Sequence, residues 1–138
     1  MIVSTLHSAG RRLIDNLVGH EVQLPAALLA RFPELREARF RRGGLPPLVG
    51  GWCLGAGSVA GITLWRTIWL DSRAPLEPEL LLHEIRHVHQ FGASPLFPLA
   101  YAWESLRRGY RHNRFEADAR SFAARRLLEA GSSPLSPS

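Results

Sequence analysis

Cysteine occurs once, at Cys53, in a chain of 138 residues. One thiol excludes a disulfide framework and a thiolate zinc site, and it fits a reducing cytoplasm. In its apolar surroundings Cys53 reads as a small core residue. Lysine is missing altogether, so all 17 cations are arginine and the net charge is +5. Arginine suits acidic partners, and the densest patch is Arg107, Arg108, Arg111 and Arg114. That patch carries no interleaved aromatics and no nucleic-acid-binding motif. Nucleic acid is therefore not expected as a partner, and the arginines read as replacements for lysine on solvated faces. The first residues, MIVSTLHSAGRRL, hold no continuous apolar run, so no signal peptide is expected. Charge is also absent from Gly43 to Trp65, a run long enough to span a bilayer. Seven glycines with Pro46 and Pro47 make that run a poor helix and a fair source of strands. No membrane is expected.

A hydrophobic content of 46% and a charged content of 21% describe a globular chain. One domain over 1–130 is expected, with a disordered tail at 131–138. A loosely helical stripe covers 3–19, and Pro25 opens a short helix to about Phe32. Residues 35–42 alternate partly, which favours a strand. Within 52–71, bulky and β-branched residues favour one or two strands, the better one over about 60–70. Prolines at 75 and 78 with Glu77 and Glu79 start a helix over about 78–91. Further helices are expected at about 97–108 and from Asn113 to Gly131.

The third of these helices contains LLLHEIRHVHQF, residues 80–91. His83 and His87 are four apart, which stacks both imidazoles on one helical face where they can share a zinc ion. Glu84 flanks that face and can take a proton from a zinc-bound water, the logic of the HExxH metalloproteases. Leu81, Leu82, Ile85 and Val88 would anchor the back of the helix. The alternative is a core helix whose histidines bond to carbonyls. His89, about 200° round from His87, belongs to the surface or to an outer layer. Gln90 returns to the ligand face and can hydrogen-bond a ligand or substrate.

A third histidine ten residues after the first is lacking, because Ala93 stands there. A carboxylate from NRFEADARSFA, residues 113–123, is the other source. Glu116 shares its face with Ala119, Ala123 and Leu127, an inward set with room for close helix approach. Asp118 shares its face with Arg114, Ser121 and Arg125, so it is expected to point at solvent or at Arg114. Glu116 is the better ligand, although Asn113 and Glu116 also have the spacing of a capping box, which needs no metal.

HEIRH followed by Glu116, Asp118, Ala119, Phe122 and Ala123 resembles the gluzincins, HExxH metallopeptidases whose third ligand is a glutamate. The second motif is similar to that of ImmA/IrrE-like metallopeptidases, and HEIRHVHQ to small bacterial metallopeptidase-like domains. The resemblance covers about residues 45–124. It implies an α+β, zincin-like domain in which a short sheet or hairpin packs on the HExxH helix and a following ligand helix. It further implies Zn2+ on His83, His87 and Glu116, Glu84 as general base, and a peptide or protein substrate. Arg120 stands where related groups carry an aspartate that supports a ligand histidine, which leaves that support unassigned. Tyr110 is the candidate oxyanion donor, with Tyr101, Arg111 and His112 beside it. Two other readings are a zinc-binding interaction module without turnover and an arginine-rich nucleic-acid-binding domain. Zinc content and the salt dependence of any DNA binding would separate them.

Overall fold

A computed structural model describes residues 2–47 and 60–132, the side chains of 2–8 excepted. It is a mixed α+β fold. Helix α1 (Ile2–Val18) leads into β1 (His20–Val22), α2 (Ala26–Arg31), a 3-10 turn (Pro33–Glu37) and β2 (Arg39–Arg42). A hairpin of β3 (Gly61–Leu64) and β4 (Thr67–Leu70) follows. Then come α3 (Pro78–Ala93), α4 (Phe97–Arg108), a 3-10 turn (Tyr110–His112) and α5 (Arg114–Ser132). The expectations for Cys53 and the glycine-rich 48–59 lie outside the described residues, as does most of the tail.

The strands form one sheet in the order β1-β2-β4-β3. β2 and β4 run parallel, while the outer pairs are antiparallel. The expected strand over 60–70 is in fact two strands. Leu64 pairs with Thr67, so the chain reverses across Trp65 and Arg66. Trp65 adopts φ 53°, a left-handed conformation that a two-residue hairpin demands and that glycine or asparagine usually supplies. Its ring lies 5.7 Å from that of Phe91, a contact that offsets part of the cost. The stretch 35–42 likewise divides: its first residues close a 3-10 turn, and only 39–42 extend.

The core is built where the sheet meets α3. Phe32, Leu35, Phe40, Ile68 and Leu70 close over Leu81, Leu82 and Ile85. Each such side chain contributes about 1.5–3 kcal/mol by leaving water. α3 therefore turns its aliphatic back to the sheet and is left with a histidine-bearing front. Ala119 and Ala123 of α5 are fully buried, and their small side chains bring α5 close to α3. Proline at the first turn sets the start of both α3 and α4, which have no side-chain cap.

Candidate metal centre

The front of α3 carries His83 and His87, whose rings meet edge to face at 5.0 Å. Glu116, in the first turn of α5 and only 2% exposed, reaches between them. Its Oε2 lies 2.9 Å from His83 Nε2 and its Oε1 lies 3.1 Å from His87 Nε2. Each histidine thus meets a different oxygen of the one carboxylate, at hydrogen-bond distance. One donor atom from each of the three residues falls within 4.8 Å of the others, so the group can hold a metal ion. The donor set, two imidazole nitrogens and a carboxylate oxygen, is one that zinc and other divalent transition metals accept.

The capping-box reading of Glu116 is not what forms. Asn113 does cap the helix, its Oδ1 accepting from the Phe115 N–H at 2.9 Å. The Glu116 carboxylate turns to the histidines instead of reaching back. Tyr101 on α4 donates its hydroxyl to Glu116 Oε1 at 2.6 Å. Burial opposes ionisation, but bonds to His83, His87 and Tyr101 hold Glu116 far below the usual carboxylate range. Burial likewise opposes a charged His87, yet the Glu116 bond and the Glu84 charge push its pKa up to about 8.

The support left unassigned by Arg120 is supplied from α3 itself. His87 Nδ1 lies 2.8 Å from Gln90 Oε1, which leaves Nε2 directed at the cluster. Gln90 is fixed in turn by its amide, which donates to Phe115 O at 3.1 Å and to Asp118 Oδ2 at 2.8 Å. Asp118 thus corrects the expectation set for it. It is partly exposed, but it faces α3 and takes Arg86 at 2.7 Å, whereas Arg114 lies over Phe115 and near Glu104. Arg120 donates to the Arg111 carbonyl at 3.2 Å and so braces the turn before α5. Gln90→Leu is expected to weaken zinc binding roughly 10–100-fold, read by chelator competition. Asp118→Ala removes only the outer brace and should cost less, but not nothing.

Glu84 is 5% exposed and stands apart from this cluster, against β3. Thr63 Oγ1 donates to its Oε2 at 2.7 Å and lies 3.2 Å from its backbone carbonyl. Gly61 forms the other wall, where an added Cβ would sit 2.9 Å from Glu84 Oε1. Neither residue was a sequence candidate, since a glycine and a threonine on a strand carry no metal signal. His89 is turned away to Glu37 at 2.9 Å, as its position round the helix implies. Tyr110 borders the site, and burial with the Glu116 and Glu84 charges pushes its pKa up. Arg111 and His112 are exposed. No family model, curated protein or solved structure matches the chain.

Proposed function

We propose that the chain is a zinc-dependent metallopeptidase of the gluzincin type, acting on peptide or protein substrates in the cytoplasm. The observation that carries this reading is the division of labour on α3. Two histidines are bound to a carboxylate of another helix, while the adjacent Glu84 carboxylate is held separately by Thr63. A structural cluster would have no use for a second buried carboxylate kept out of it. His83, His87 and Glu116 would hold the zinc, which would supply Lewis acidity to a carbonyl and lower the pKa of a water. Glu84 accepts the proton of that water and passes it to the leaving amine. Tyr110, kept protonated by burial and by the Glu116 and Glu84 charges, would donate to the developing oxyanion. Among the described residues β3 is paired on one side only, by β4. An extended peptide can add there as a further strand, beside Glu84.

The test is digestion of a denatured protein mixture, with new N-termini read by mass spectrometry. Zinc-loaded protein should generate termini that vanish on chelation. Termini that persist under chelation, or none with full zinc occupancy, would overturn the reading. The Glu84 cradle adds a finer check. Gly61→Ala should leave zinc content near that of the parent but lower the melting temperature. The added Cβ would stand 2.9–3.0 Å from Glu84 Oε1, Cδ and Cγ, so the buried side chain must shift. Displacing that carboxylate by about an ångström should also lower turnover roughly a hundredfold.

A further inference from the structure

Helix α4 is turned inside out. Its inward side carries the buried Phe97, with Tyr101 bonded to Glu116 and Ser105 to Asn113. Glu104 lies on the same side, 3.6 Å from Arg108 and 3.9 Å from Arg114. Its outward side carries Leu99, Trp103 and Leu106 at spacings of four and three, which is one helical face, with Leu96 a turn earlier. Exposure is 63% at Leu96, 70% at Leu99, 62% at Trp103 and 85% at Leu106. A surface helix ordinarily presents its polar face to water. Here the polar groups are spent on the metal centre and its surroundings, and the apolar stripe is left uncovered.

Charge says what covers it. From Phe91 to Phe115 the only acidic residue is Glu104, and it is buried on the inward side. The same stretch holds Arg107, Arg108, Arg111 and Arg114, all at the C-terminal end of the stripe and all exposed. Every exposed full charge within 91–115 is therefore positive. We propose that the outward face of α4 docks on an anionic lipid bilayer surface, with Leu99, Trp103 and Leu106 in the headgroup boundary and the arginines on lipid phosphates. Trp is suited to that depth, and a basic helix with an apolar face lies in the interface plane. A second copy of the chain is the poorer occupant. It would leave the arginines at the C-terminal end of the stripe without an acidic partner on the same face, whereas an anionic bilayer supplies one. The search for a spanning run in the sequence could not reveal this, because lying on a bilayer needs no such run. Among the described residues no helix is long and apolar enough to cross a membrane. The inference does not rest on zinc, since no candidate ligand belongs to this face.

The test is flotation of the full chain with unilamellar vesicles of phosphatidylcholine, alone or mixed with phosphatidylglycerol. The parent should float with the anionic vesicles, at least about tenfold less with the neutral ones, and release in high salt. Chelation should change nothing. The double variant Leu99→Asp/Leu106→Asp, checked for parental circular dichroism, should lose binding by about tenfold or more. Arg107→Gln/Arg111→Gln should bind more weakly and with a flatter salt dependence. A parent that stays unfloated overturns the proposal. So does undiminished binding by the aspartate variant, which would move the contact elsewhere, for instance to the exposed Leu13, Ile14 and Leu17 of α1. A dimer that the aspartate variant breaks, with no vesicle binding by the parent, would give the face to a second copy and also overturn it.

Discussion

Zinc titrated into the Glu116→Ala variant should bind roughly two to three orders of magnitude more weakly than in the parent chain. The magnitude follows from sharing about 10–16 kcal/mol of structural zinc affinity among four ligands. Glu116 is the only anion in the donor set, and it comes from a different helix than the histidines. The same substitution strands three partners, the buried His87 and the half-buried His83 and Tyr101, which all meet this one carboxylate. Metal-free melting should therefore fall as well, by about 1–3 kcal/mol. Glu116→Gln separates the two effects. It keeps an oxygen for Tyr101 and most of the packing, but supplies no charge to a cation. Isothermal titration with a competing chelator, beside thermal melts of the metal-free proteins, reads both quantities. Unchanged zinc affinity in Glu116→Ala would show that the cluster is a buried ion pair and nothing more.

Glu84→Gln should retain zinc and fold while turnover falls by about 10²–10⁴-fold. Glu84 makes no bond to His83, His87 or Glu116, so ligand geometry does not depend on its charge. Its bond from Thr63 Oγ1 also survives, because a glutamine oxygen accepts as a carboxylate oxygen does. Only the ability to take a proton is lost. The comparison requires a substrate found by the N-terminus survey, with rates measured at equal zinc occupancy. Parental turnover in this variant would remove Glu84 from the mechanism and leave the ligand assignment intact.

What could be read in the sequence divides along a physical line. Helices α3 and α4 were legible because proline fixes their first turns and a run without helix breakers follows. Their observed ranges, Pro78–Ala93 and Phe97–Arg108, meet the expectations closely. The meeting of His83, His87 and Glu116 was legible because an i, i+4 histidine pair has one geometry on any helix, and because Ala119 and Ala123 marked the inward face of Glu116. The hairpin was not legible, since Trp65 and Arg66 are poor local turn formers and the reversal is supported by distant partners, the Phe91 ring of α3, the Glu37 carbonyl and the Arg39 N–H. Asp118 was misplaced for a related reason. A helical wheel compares a residue with its own helix, whereas the partners of Asp118, Arg86 and Gln90, belong to α3. The outward face of α4 was hidden because apolar spacing says which residues share a side, and not which side meets the protein.

If the proposed site takes its metal, the placement of Glu116 and the histidines on separate helices would tie metal supply to the lifetime of the chain. Among the described residues α3 and α5 form the most extensive helix contact, and the donor atoms bridge it. An ion bound there belongs to the folded state alone, because the unfolded chain does not hold His83 and Glu116 together. Free zinc at a hundred times the dissociation constant then adds about 2.7 kcal/mol to global stability. Unfolded molecules become about a hundredfold rarer, and with them the targets available to proteases. Scarcity of the metal thus reduces abundance as well as occupancy.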